Sequence, residues 1–161
     1  MKRTIFIGQA MPRFKNNPHD WPTLNNWLYS IGLTIDDIKT WFFYSALVDY
    51  FPGSKNGSHL VPTPKEIKKE RPRLLKTIRD FNPQIVITIG KLSLSYCLET
   101  KIHQLKNYIG KSYFIDPYRA LSRPLIVIPL PHPSGASIWH KRPENKKLLR
   151  KALKILKTNL D

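Results

Sequence analysis

Leu125-Ile-Val-Ile128, followed by Pro129-Leu-Pro-His-Pro-Ser-Gly-Ala-Ser137, is the stretch whose reading decides the fold. The first four residues form a short, uninterrupted apolar run rich in β-branched side chains, the pattern of a strand buried on both faces. The next nine form a loop stiffened by prolines, with a histidine and two serines on it. Prolines on either side of His132 restrict φ, so the imidazole is presented with little freedom. In open α/β sheets the carboxyl end of a strand is where ligands bind. A positioned histidine beside small hydroxyls suits a reaction in which a negative leaving group must be stabilised.

Three more runs of the same kind lie upstream: Thr4–Ile7, Phe42–Val48 and Ile85–Ile89. Helical patterns separate them. Leu24, Trp27, Leu28 and Ile31 share one face. Thr63-Pro-Lys-Glu66 is a helix start, with a capping threonine, a first-turn proline and a glutamate that completes a capping box. Ile67, Leu74, Leu75, Ile78 and Phe81 continue it as a buried stripe. A shorter helix is expected over Lys91–Leu98, and a last one over Pro143–Leu160. Strands alternating with helices predict a parallel sheet covered on both faces. Residues 49–62 and 103–124 are long connections, and such loops are often functional.

The chain has 161 residues, 41% of them hydrophobic, which suits one globular domain spanning 1–161. Its net charge is +16 and its pI about 10.1. That charge makes nucleic acid the leading partner. No segment is long enough to span a bilayer, so no membrane partner is expected. Met1-Lys-Arg leads into a four-residue strand, so no signal peptide is expected, and the cytoplasm is the expected compartment. Cys97 is the single cysteine, read as a core residue. The histidines at 19, 59, 103, 132 and 140 show no ligand spacing, so no metal site is expected. A monomer is the expected state.

Other residues bear chemistry at the strand ends. Gly8-Gln9-Ala10 closes the first strand, and a glycine there permits close backbone approach to a ligand. Phe14, Asp20 and Trp21 share the next loop. The aromatics can stack on a base; Asp20, like Asp49 at the end of the second strand, is a candidate for water activation. Lys55 and His59 sit in a polar segment, 53–62, that reads as flexible. Lys55, Lys91, His140 and Lys141 are candidates for phosphate contacts. Lys146, Lys147, Arg150, Lys151, Lys154 and Lys157 crowd the last helix, and not all of this charge can lie in one DNA groove.

In order, these segments resemble the uracil-DNA glycosylase superfamily over most of the chain. Gly8-Gln-Ala is similar to the first motif of its iron–sulfur branch, family 4, which typically reads Gly-Glu-Ala-Pro-Gly. Ser45-Ala-Leu-Val-Asp-Tyr-Phe-Pro-Gly53, Pro62-Thr-Pro-Lys-Glu-Ile67 and Arg71-Pro72 resemble its second block. Ile85-Val-Ile-Thr-Ile-Gly90 resembles its third strand and turn. His132-Pro-Ser-Gly-Ala-Ser137 resembles the His-Pro-Ser motif, and Pro143-Glu-Asn145 its usual tail. The resemblance implies a three-layer α/β/α sandwich around a central four-stranded parallel sheet. It implies hydrolysis of a base–deoxyribose bond after the nucleotide is flipped into a pocket. On that resemblance His132 donates a hydrogen bond to the departing base. Gly8, Gln9 and Ala10 line the pocket and position water, and Trp21 or Phe14 stacks on the base. Ser134, Gly135 and Ser137 meet the DNA backbone, and Ala136 or Ile138 fills the gap left in the stack.

The departures from the pattern bear on chemistry. Tyr50 and Glu70 stand at two cluster-cysteine positions, so no iron–sulfur cluster and no other cofactor is expected. Gln9 replaces a carboxylate with an amide that cannot act as a base. The asparagine that reads uracil falls at Ser45 or Ala46. Three readings emerge: a glycosylase for a modified pyrimidine bulkier than uracil, such as a hypermodified phage cytosine removed in defence; a repair glycosylase for uracil or another deaminated base; and a degenerate, non-catalytic DNA-binding member.

Overall fold

The computed structural model describes residues 1–134 and 137–161. Gly135 and Ala136, two of the expected DNA contacts, lie outside the described residues. The chain runs β1 (Thr4–Ala10), α1 (Pro22–Ser30), α2 (Ile35–Trp41), β2 (Phe42–Val48), a small hairpin of β3 (Ser54–Lys55) and β4 (Ser58–His59), α3 (Pro64–Phe81), β5 (Ile85–Ile89), α4 (Gly90–Leu98), β6 (Tyr113–Ile115), β7 (Leu125–Leu130) and α5 (Pro143–Asn159).

The main sheet has the order β2-β1-β5-β7-β6. The four expected strands are present and mutually parallel, with Phe6 opposite Tyr44 on one side and Ile87 on the other. The expectation of a four-stranded, wholly parallel sheet needs one correction. A fifth strand, β6, pairs antiparallel with β7 at the edge. It has only three residues, and Phe114 points to solvent at 70% exposure. A segment so short carries no readable period.

Side chains alternate across the sheet, and this produces the three layers. Phe6, Tyr44, Ile87 and Ile128 face a core shared with Trp27, Leu28, Ile38, Leu149 and Leu156, so α1, α2 and α5 cover that side. Ile5, Ile7, Leu47, Val86 and Val127 face Ile67, Leu74, Ile78 and Cys97, so α3 and α4 cover the other. Cys97 is buried as expected, and burial pushes its thiol up to about 12. The capping box of α3 forms as the sequence predicts: Thr63 Oγ1 accepts from the Glu66 amide at 3.2 Å, and Glu66 accepts from the Thr63 amide at 3.0 Å. Helix α2 arises from a second such box, Thr34 with Asp37.

The segment 53–62 is more ordered than its polarity suggests. Asn56 and Gly57 both have positive φ, 52° and 77°, and join β3 to β4. That is the Asn-Gly two-residue turn whose twist suits a hairpin.

Candidate active site

β1 and β2 are neighbours, and the chain then crosses to place β5 on the opposite side of β1. The strand order therefore reverses between β1 and β5, and the crevice outside their carboxyl ends is the expected ligand position. A pocket of about 390 Å³ opens at that edge. Gln9, Ala10, Trp21, His132 and Ser134, all expected at the site, border it together.

His132 is held by its own loop and by a ring. The Ser134 amide donates to His132 Nδ1 at 3.1 Å. With Nδ1 accepting, the neutral ring carries its hydrogen on Nε2. Trp21 meets the imidazole edge-on, with centroids 5.2 Å apart and planes at 76°. Behind Trp21 the rings of Tyr44 and Phe6 continue as a stack, at 5.7 Å and then 6.4 Å. Burial pulls the His132 pKa down to about 4, helped by the nearby His59 and Lys15. At neutral pH the ring is an uncharged hydrogen-bond donor.

The same aromatic stack explains Gly8. A Cβ there would collide with the Tyr44 hydroxyl, so only glycine lets Tyr44 cross β1 beneath the pocket. Gly8 thus supports the site from below instead of lining it. Trp21 is 4% exposed and committed to His132 and Tyr44. Phe14 is 84% exposed and does not border the pocket. A further ring on the pocket wall is Phe51, which the sequence pattern did not single out; Arg13 lies over it at 5.2 Å and His59 meets it edge-on at 5.1 Å. Lys15, also unanticipated, borders the pocket with its ammonium 4.9 Å from the Trp21 ring. The Pro52-Gly53 pair just after Phe51 was the one signal in the sequence that the chain turns there toward the site.

Neither candidate carboxylate reaches the pocket. Asp20 accepts from the Asn16 and Asn17 amides, each at 2.9 Å, and these bonds, that from Asn16 foremost, lower its pKa. It caps the turn that leads into Trp21. Asp49 is exposed and ties its amide to Glu70 at 3.2 Å. Ser45 and Ala46 do not border the pocket either. Arg73 of α3 donates to the Ser45 hydroxyl at 3.0 Å and to the Ala46 carbonyl at 2.6 Å, and the Ala46 side chain is in the core. Among the described residues, no Asp or Glu borders this pocket and no cluster of His, Cys, Asp and Glu could hold a metal ion.

The expected DNA contacts are spread around this edge. Ser137 donates its amide to the Ser134 carbonyl at 3.1 Å, closing the loop after His132. Ile138 comes next at 61% exposure. Lys55 is exposed on the hairpin, and Lys141 is exposed beyond the loop. His140 packs edge-on against Trp27, with centroids 5.3 Å apart. Lys91 borders a separate, more open groove of about 740 Å³ together with Arg71. Gln9 borders both cavities, and of two consecutive residues Leu60 borders the pocket and Val61 the groove.

The family model of the uracil DNA glycosylase superfamily matches residues 3–157. The chain belongs to that superfamily. Its members are DNA glycosylases, which implies that the chain binds DNA. The match takes in every element from β1 to most of α5, and with it both halves of the pocket. No curated protein is similar enough in sequence to count as a match. No helix among the described residues is long and apolar enough to cross a membrane.

Proposed function

We propose that this superfamily member hydrolyses the bond between deoxyribose and a flipped-out modified pyrimidine, leaving an abasic site. The observation that carries the reading is the neutral His132, with Nδ1 occupied by the Ser134 amide and Nε2–H free to meet a departing base. As the C1′–N bond breaks, its electron pair moves onto the base. Nε2–H donates to that growing anion, a contribution of about 3–4 kcal/mol by analogy with oxyanion donors. Water adds to C1′ and its proton ends on the base. With no carboxylate on the wall among the described residues, the positive sugar is stabilised by its own phosphates, which Ser134 and Ser137 hold in place. Gln9 positions the water or reads the base edge, and Phe51 stacks on the ring. Ile138 enters the stack that the nucleotide leaves.

Two features support a base larger than uracil. An open pocket of about 390 Å³ leaves room for a pyrimidine that carries a substituent. The asparagine position has become Ser45 or Ala46, neither of which borders the pocket, so that reader is missing from the wall. Hypermodified cytosine in phage DNA is a base of this kind, and removing it would be a defence. Uracil repair is the second reading, favoured by Gln9, whose amide offers both a donor and an acceptor.

The reaction proceeds without an iron–sulfur cluster. At two cluster positions stand Tyr50, hydrogen-bonded to Glu66, and Glu70, which accepts from the Asp49 amide and pairs with Arg73 at 3.7 Å. These bonds fix the loop to α3. Cys97 lies in the core on the α3–α4 side and supplies no ligand at that place.

The test is a panel of oligonucleotides carrying uracil, hypoxanthine, hydroxymethylcytosine or glucosylated cytosine, incubated with protein and then cleaved with alkali. Strand scission at a substituted cytosine is expected. Scission at uracil alone overturns the bulky-base reading, and none anywhere alongside tight DNA binding overturns the enzyme.

A further inference from the structure

Much of the positive charge lies away from the pocket, on α5. Lys146, Arg150, Lys154 and Lys157 recur at spacings that put them on one helix face, next to the buried Leu153. All four are exposed. Among the described residues none has a carboxylate within ion-pair distance. Like charges four apart on a helix repel, so the stripe weakens the isolated helix and is relieved by a polyanion.

The stripe borders a groove between α1 and α5. Its upper part, about 290 Å³, begins at His140, and its lower part, about 760 Å³, ends at Asp161. Ser30, Arg150 and Leu153 border both parts, so the groove is continuous. The upper end is bordered by His140 and Lys141, which follow the segment of His132 in the sequence. The lower end is bordered by Asp161, next in sequence to Leu160, whose carbonyl accepts from the Lys2 amide at 2.9 Å just ahead of β1. The groove therefore descends from the catalytic edge of the sheet to the opposite edge. Lys146 to Lys157 covers about 16 Å of helix axis.

We propose that this groove binds the single-stranded flank of the DNA whose target nucleotide occupies the pocket. The four cations meet successive phosphates, and the half-buried Ile31 gives the bases an apolar contact. A duplex lying across the sheet edge is too stiff to turn down the side without a large bending cost. A single strand tracks the groove freely, as in other basic channels for unpaired nucleic acid. The proposal rests on the DNA reading of the pocket.

The test compares the wild-type protein with a variant carrying Lys146→Gln, Arg150→Gln, Lys154→Gln and Lys157→Gln, its helix content checked by circular dichroism. Binding of labelled single strands of ~8 to ~16 nucleotides is measured across a salt series. Wild-type affinity should rise about tenfold over that length range, and the variant should lose the rise. For the longest strand the salt slope should fall by about 3, since each neutralised phosphate contributes about 0.7. Equal slopes and equal length dependence in the two proteins overturn the proposal. So does an equal gain for duplexes of the same length. Tighter binding to phosphatidylserine vesicles than to the strands, lost in the variant, overturns it in favour of a membrane surface. The two readings fail separately. A variant that excises from the shortest strand like wild type but keeps the length dependence sinks only the groove. A wild type that never excises but shows the length dependence sinks only the glycosylase.

Discussion

The pocket and the α1–α5 groove handle charge in opposite ways. The pocket keeps little of it: His132 is held neutral by burial against Trp21, no Asp or Glu among the described residues borders it, and Lys15 is the cation on its wall. The groove displays it, with four cations that have no carboxylate partner among the described residues. A hydrogen bond to a developing anion gains strength where water is excluded. Attraction to a polyanion works at longer range and weakens with salt. The pocket is therefore expected to govern turnover, with little dependence on salt. The groove is expected to govern affinity, with little dependence on pH near neutrality.

The largest effect that can break this contrast is at the ring behind the imidazole. Trp21→Ala removes a nearly buried indole, and urea denaturation should show a loss of about 3–5 kcal/mol. Because the indole helps to keep water from His132, the imidazole pKa should also rise toward its ordinary value, which NMR titration can track. An unmoved pKa would mean that other groups desolvate the ring. His132→Ala should come next, lowering kcat by about 10²–10³ while leaving DNA affinity near wild type. Equal losses in kcat and affinity would erase the distinction between pocket and groove. The third effect is on pH dependence. The unfolded imidazole takes up its proton near 6.5 and the native one only near 4, so between those values the unfolded state binds more protons. Stability is complete above about 6.5 and should fall by up to ~3 kcal/mol as pH drops to 4. His132→Gln should flatten that part of the curve, and a curve unchanged by the substitution would place the titrating group elsewhere.

The parallel strands and every helix but α2, which the sequence pattern did not single out, were legible because burial imposes its own pattern. Ile85–Ile89 and Leu125–Ile128 sit between helices on both faces and read as continuous apolar runs. Thr63 and Glu66 marked the start of α3 because a capping box needs those two side chains at that spacing. β6 was not legible, since three edge residues with an exposed centre obey no period. The Asn56-Gly57 hairpin carried its signal openly, but the polarity of its neighbours suggested a flexible loop.

At the site, the residues near the β1 and β7 ends were readable from motif and strand position. His132 and Gln9 came from that logic. Phe51 and Lys15 did not, because what brings them to the pocket is the path of two loops that no local pattern specifies. Trp21 was identified but given a different role. Its ring faces His132 and Tyr44, a tertiary contact invisible in one dimension. Ser45, one of two places expected for the base-reading asparagine, does not border the pocket for a similar reason. Its partner Arg73 lies 28 positions away on α3.

Gln9 stands between two compartments, one with the imidazole and one with Arg71 and Lys91. It works as a party wall. A smaller side chain there opens both rooms, so a substitution that reshapes the pocket at this position is felt in the groove as well. A change at 9 therefore meets Val61, Arg71 and Lys91 on the far side of the wall as well as His132 on the near side.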